Sequence, residues 1–578
     1  MNERLLAKLE EVKRRRPGAR RVAVLLRRIR GARFSDAESL VRLHDALLFL
    51  RAYPHSREVL RLSDLLLSEF PARVARLATS GADLSPFDHP EVSGIAGTSI
   101  TTDYSYDVVR WLAKRFGRRV SIDWSLHEAP DRLRAAWPAF LPLLEEEALE
   151  DANVPYLDYL RAARLRRGSG GQARLRGEDD LAWLLSRIER LPLSPREKGE
   201  RYDALGISVA WDLGEGRITR TRMRRSERRI FFHDEPLRRH GVSLEEEIAS
   251  PPLPVRRLSR RGGEAVVEMT REATALRYRE YYGFTFADPA WVLAADAGRG
   301  LEIFLMGLER GRRLPLRAGF AGFFVKNGVP IGYIEALAFF ERVEVGFNIY
   351  YAFREGESAW IFARVVKLLR QVLGVTSFSI DPYQIGHENE EAIHSGAFWF
   401  YRKLGFRSTD PGLRELTARE ESRIAADPSY RSSDFVLRRL ASANVLYEAP
   451  PSPRSEIRSP ESPWDRFHVR NLSLAVVRRM STQFAGDAGR IRRASEANVA
   501  RELGVRAASL DPTERRCFSD LALVLDLVPG LSRWPRADKE AAAAILRAKA
   551  GFGEARYLRL LQRHARLRAA LLRLGSLR

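Results

Sequence analysis

The chain has 578 residues, 45% of them hydrophobic, and a formal net charge of +22, so it is too long for one core and implies roughly three or four globular domains. The charge comes from 88 arginines and only 9 lysines, interspersed with 75 acidic residues, a balance that leaves nucleic acid possible as a partner without favouring it. A single cysteine, Cys517, excludes an intramolecular disulfide. No run reaches the ~18 apolar residues of a membrane span, and the charged start MNERLLAKLE carries no signal-peptide pattern, so a soluble cytoplasmic protein is expected.

Residues 1–90 read as helices. SDAESLVRLHDALLFLRAY offers Ser35 as an N-cap and spaces its apolar residues by three and four. RRRPGARRVAVLLRRIR is basic and amphipathic, a solvated helix face or a membrane-touching one. Residues 91–248 are mostly helical with a short α/β piece. There SGIAGTSITTDYSYDVVRWLAKRFGRRVSIDW reads as loop, helix and strand. The run from Gly94 to Ser99 has the composition of a phosphate nest but lacks the lysine of a phosphate loop, and a plain turn is expected. RRGSGGQAR breaks the helices between 130 and 200, and ASPPLPVRR (249–257) punctuates the start of a new unit.

From Val255 the character changes. GEAVVEMTREATALRYREYYGF is a long amphipathic helix, and GLEIFLMGL, RAGFAGFFVKNGVPIGYIEALAFF and RVEVGFNIYYAF are strands, with Asn327-Gly328 as a tight hairpin turn. ESAWIFARVVKLLRQVLG is a helix and VTSFSID a strand. SGAFWFYRKLGF is a helix ending at Gly405, and DFVLRRLASANVLY supplies a last strand. A Pro/Ser-rich linker (448–463) follows, then a helical, basic C-terminal domain (464–578).

The order of elements between 255 and 447, with YRKLGF on its last helix, resembles the GNAT superfamily of acyl-CoA N-acyltransferases. The resemblance implies an α/β (α+β) domain: a mixed, mainly antiparallel sheet with helices on both faces, here flanked by mostly helical N- and C-terminal domains. In that family the strand equivalent to VEVGFNIYYAF offers backbone groups to the pantetheine arm, which points to Phe347, Asn348 and Ile349. The glycine-bearing turn that follows wraps the pyrophosphate at a helix N-terminus. Here it reads Phe353-Arg354-Glu355-Gly356-Glu357-Ser358: Gly356 fits, Phe353 stands at the Gln/Arg position with Arg354 adjacent, and Ser358 replaces the second small residue.

The second motif, N-x-x-A-x-x-F-Y-x-K-L-G-F, is matched by Ala397, Phe400, Tyr401, Lys403, Leu404, Gly405 and Phe406. The resemblance implies that Ala397 and Tyr401 line the acyl-CoA cleft and that Tyr401 protonates the departing thiolate. His394 stands where the family asparagine would, with Asn389 five residues earlier. An acceptor amine must lose a proton before it attacks a thioester. Glu344 and Glu335 are the carboxylates on the central strands, and Glu344 is preferred because strand alternation groups it with Gly346 and Asn348. Acetyl-CoA or another acyl-CoA is thus the implied co-substrate and an amine the acceptor. No metal is expected, although His387, Glu391 and His394 have ligand-like spacing. A GNAT-like scaffold without CoA, and an RNA-associated protein, are the alternatives.

Overall fold

The computed structural model describes residues 2–14, 19–126, 130–136, 139–140, 156–167, 173–175, 179–226, 229–449 and 462–576. The chain is a mixed α/β protein. Its main sheet comprises β1 (Val255–Arg257), β2 (Ala287–Gly298), β3 (Leu301–Leu308), β4 (Ala318–Lys326), β5 (Val329–Phe339), β6 (Arg342–Ile349), β7 (Ser377–Ile380), β8 (Arg407–Ser408) and β9 (Val445–Glu448). Their order across the sheet is β8-β9-β7-β6-β5-β4-β3-β2-β1. Neighbours run antiparallel except β6 and β7, which are parallel.

That exception is forced by connectivity. A tight turn can join only antiparallel strands, whereas a parallel pair needs a crossover. The crossover is helix α3 (Ser358–Leu373). β6 and β7 pair only over Arg342–Glu344 and Ser377–Ser379, and β6 then continues to Ile349 with no strand on that side among the described residues.

The Asn327-Gly328 hairpin forms as expected, with both residues at positive φ (48° and 83°). Several other elements differ from the reading. β2 was not expected, since ADPAWVLAADAG contains a proline and five alanines. The long helix is α1 (Arg260–Ala275), and a separate short α2 (Tyr282–Thr285) follows it. Tyr278 at φ 54° breaks the continuation. DFVLRRL is the helix Asp434–Leu440, and only Val445–Glu448 beyond it is strand. Asp36, not Ser35, caps the helix Ala37–Ala52, accepting a hydrogen bond from Ser39 N at 2.7 Å. Of the linker 448–463, residues 450–461 lie outside the described residues.

The flanking regions dock directly on the sheet. The basic helix Ala19–Arg30 buries Val22, Leu25, Leu26 and Ile29, so its apolar stripe faces protein rather than a membrane. Gly94 and Gly97 adopt φ 87° and 93°, and a Cβ on Gly94 would stand 2.7 Å from Leu276 O. This segment is a packed turn. Asn327, 1% exposed, donates to Ala52 O and Phe231 O (2.8 and 3.0 Å) and accepts from Phe231 N (2.8 Å). On the C-terminal side, Arg313 donates to Lys549 O and Gly551 O (2.6 and 2.7 Å), and Arg342 to Phe467 O (3.2 Å). No helix among the described residues is long and apolar enough to cross a membrane.

Candidate functional site

Cross-strand register places Tyr333, Glu335 and Leu337 of β5 opposite Asn348, Gly346 and Glu344 of β6. Directly opposed residues share a face of the sheet. Glu335, Leu337, Glu344, Gly346 and Asn348 all remain half-buried on it. Helix α2 closes one end of this face: Phe284 packs edge-on to Tyr333, with centroids 5.8 Å apart. Gly346 leaves room above Glu335, because a Cβ there would meet nothing closer than the Gln384 side chain at 3.7 Å.

The two carboxylates of this floor differ. Glu344 is engaged by Arg317, Oε1 to Nη1 at 3.2 Å. Glu335 makes no hydrogen bond or ion pair among the described residues, and burial alone pushes its pKa above the usual carboxylate range. A carboxylate with a raised pKa is the better proton acceptor near neutral pH. Of the two, Glu344 is thus the ion-paired carboxylate and Glu335 the one without a partner among the described residues. Above it, the Tyr281 and Tyr333 hydroxyls are hydrogen-bonded to each other, and Asn348 Nδ2 donates to Tyr333 Oη at 3.2 Å. Asn348 Oδ1 is buried without a partner, an acceptor with capacity for an incoming N–H. Tyr281 and Tyr333 were missed in the sequence. Tyr333 was recoverable, since it lies two residues from Glu335 and so on the same face. Tyr281 was not, because it reaches this site only through the break after α1.

The other expected residues fall in three groups. Phe347 points to the opposite face, where its ring packs on Phe362 of α3 (5.1 Å) and stacks on Phe400 (6.3 Å). Tyr401, on α5 (Ala397–Lys403), is 3% exposed among Phe362, Phe400 and Phe406, and burial raises its pKa. Ala397 is half-buried at the start of that helix and Phe398 fully buried, so the row of aromatics divides between core and cleft side.

Asn389 and His394 bracket α4 (Glu390–His394). Asn389 is its N-cap, accepting from Ala392 N (3.2 Å) and donating to Tyr383 O (3.0 Å), so its side chain is committed to the fold. His394 is exposed at the other end. His387 precedes the helix, and the three metal-like positions do not share a helical face. No group of three metal-ligating residues occurs among the described residues.

The third group is the glycine turn, and here the expected pyrophosphate does not fit. Gly356 and Glu357 are buried, and the ring of Tyr53 lies on Gly356: a Cβ there would be 2.6 Å from Tyr53 Oη and 2.7 Å from Cζ. Glu357 sits at the N-terminus of α3, where an anion would lie. Its carboxylate accepts from Lys326 Nζ (2.8 Å), Arg299 Nε (2.9 Å) and Arg238 N (3.0 Å). Burial opposes ionisation most strongly, but the charge and hydrogen bond of Lys326, with the Arg238 N–H and His233, together outweigh it and hold Glu357 at about 2. Glu355 pairs with Lys13 at 3.1 Å. Arg354 bonds Glu391 and donates to Ile349 O at 3.0 Å, while Ser358 Oγ donates to Arg354 O at 3.2 Å. The turn's positive end is thus filled by the chain's own carboxylate and its glycine is roofed by Tyr53.

No protein-family profile matches this chain, and no curated protein or solved structure matches it.

Proposed function

We propose that residues 255–447 form a GNAT-like N-acyltransferase core that receives an amine over the Glu335–Gly346 floor and an acyl thioester along the β6–β7 edge. The observation that carries this reading is Glu335, a half-buried, unpaired carboxylate with a raised pKa beside the point where the sheet changes from antiparallel to parallel. An arriving ammonium would hydrogen-bond Asn348 Oδ1 and pass its proton to Glu335, and the free amine would then attack the acyl carbonyl. Beyond Val345 the β6 edge facing β7 has no strand beside it among the described residues, leaving backbone groups available to an extended pantetheine-like arm. Because Tyr53 and Glu357 occupy the turn, the nucleotide end of CoA contributes little to donor binding.

The second reading is a GNAT-like scaffold that binds an amine ligand without transferring anything to it. The sealed turn favours it.

The experiment uses the full chain, a panel of primary amines, and two thioester donors: acetyl-CoA and S-acetyl-N-acetylcysteamine, which lacks the nucleotide. Amine-dependent thiol release is expected from both donors, with kcat/KM within about tenfold. Glu335→Gln should abolish release and Glu344→Gln should not. If neither donor reacts while amines still raise Tm in a Glu335-dependent way, the scaffold reading replaces the enzymatic one.

A further inference from the structure

Helix α6 (Glu554–Arg563) has a divided surface. Tyr557, Leu558 and Leu561 are at most 2% exposed against the sheet and α3. The outward row carries Arg556, Arg559 and Arg563, all exposed. Positions three and four apart lie on one side of a helix, so the three guanidinium groups form a line. None has a carboxylate partner among the described residues; Arg559 donates only to Val372 O at 2.9 Å. Together with Gln371 and Val372 they line one surface groove.

This row continues onto the sheet edge. Gln371 exchanges two hydrogen bonds with the Leu253 backbone, both 2.9 Å, and β1 begins two residues later with Val255-Arg256-Arg257. Phe552, 44% exposed, precedes α6. The Arg257 guanidinium stands 4.0 Å from its ring centroid. Of the nearby carboxylates, Glu554 is buried on Lys549 and Glu247 bonds Arg364, while Glu302 bonds Arg225 and also Arg256 of the β1 edge. Between Trp464 and Ser576, 22 basic residues stand against 11 acidic ones, so half of the net charge is concentrated in about a fifth of the chain.

We propose that the outer face of α6, with Phe552 and the β1 edge, is a docking surface for single-stranded nucleic acid. Three uncompensated arginines in a line match a phosphate backbone, since a guanidinium binds phosphate oxygens in pairs. The exposed Phe552, already flanked by Arg257, offers a face on which a base stacks. A lipid surface fits less well, because the apolar side of α6 is consumed by the core and no apolar face remains to enter a bilayer. The inference is independent of acyl transfer, as it uses none of the residues placed on the Glu335–Gly346 floor.

The test is fluorescence anisotropy of the full chain with a labelled 20-nucleotide oligouridylate between 50 and 200 mM salt. Each phosphate contact contributes about 0.7 to the log–log salt slope for a single strand. Three contacts therefore contribute a slope of about 2, or roughly a 20-fold loss of affinity over that range. The triple variant R556Q/R559Q/R563Q should lose that part of the slope and bind at least tenfold more weakly at 50 mM. Phe552→Ala should weaken binding several-fold with the slope unchanged. Absence of binding at 50 mM overturns the proposal, as does a triple variant with the parental slope. So does arginine-dependent binding to phosphatidylserine vesicles that the oligonucleotide fails to displace.

Discussion

Removing the Lys326 ammonium is the sharpest perturbation of the join between the N-terminal region and the sheet. Lys326 and Glu357 are both 0% exposed and 2.8 Å apart, and Lys326 also donates to Arg299 O at 2.8 Å. Burial lowers the Lys326 pKa to about 8 against the pull of Glu357, so the charged form persists at pH 7 only through its partners. Lys326→Met leaves Glu357 with Arg299 and one backbone N–H in a closed interior. Breaking one side of a buried pair costs about 3–5 kcal/mol. With about 2.1 cal/mol/K of unfolding entropy per residue, cooperative unfolding of 578 residues carries about 1.2 kcal/mol/K, so Tm should fall by about 3 °C. The assay is differential scanning calorimetry of Lys326→Met, Glu357→Gln and the double variant. The double variant should recover at least half of the summed loss, because both fully buried charges are removed together and Arg299 keeps Glu235 at 3.6 Å. Single losses below about 1 kcal/mol that simply add would refute the claim that this pair acts as a unit.

Acid stability follows from two histidines. His44 and His233 are 0% and 2% exposed, and burial lowers them to about 4 and about 3. Unfolded histidines bind protons below about 6.5 while the folded rings stay neutral, so stability falls as pH drops from 6.5 toward 4 for His44 and toward 3 for His233. The full losses are about 3 and about 5 kcal/mol. Urea titrations of His44→Gln and His233→Gln should show flatter profiles in that window, and unchanged profiles would remove these rings from the explanation. Gly356→Ala should destabilise by about 1–3 kcal/mol through overlap with Tyr53, and Tyr53→Leu should relieve part of it; a neutral Gly356→Ala in chemical denaturation would mean the roof is loose. Tyr401→Phe should leave Tm unchanged, since the hydroxyl makes no hydrogen bond among the described residues, while lowering thiol release at least 100-fold if it donates the proton. Unchanged release would remove Tyr401 from the reaction.

What could be read in the sequence was local. Runs of Val, Ile, Phe and Tyr identified β3 to β7, and Asn327-Gly328 identified their hairpin, because β propensity and positive φ are properties of a few adjacent residues. β2 escaped because alanine, aspartate and proline carry no strand signal, and it is held by β1 and β3 on either side. The site divided in the same way. Strand alternation put Glu344 on the same face as Gly346 and Asn348. The choice between Glu344 and Glu335 turned on Arg317, which reaches Glu344 from a loop 27 residues earlier. The glycine turn looked available from its own six residues. Tyr53, some 300 positions upstream, occupies it, and no short-range pattern records that.

The clamp between Asn327 and Ala52 spans 275 residues, and this separation sets a schedule for a chain made from its N-terminus. At about 5–20 residues per second, the hairpin leaves the ribosome some 14–55 s after the helix that receives it. During that interval Ala52 O has no Asn327, and Tyr53 has no glycine to lie on. The N-terminal helices must wait, paired with one another or held by a chaperone, until the sheet arrives to complete them.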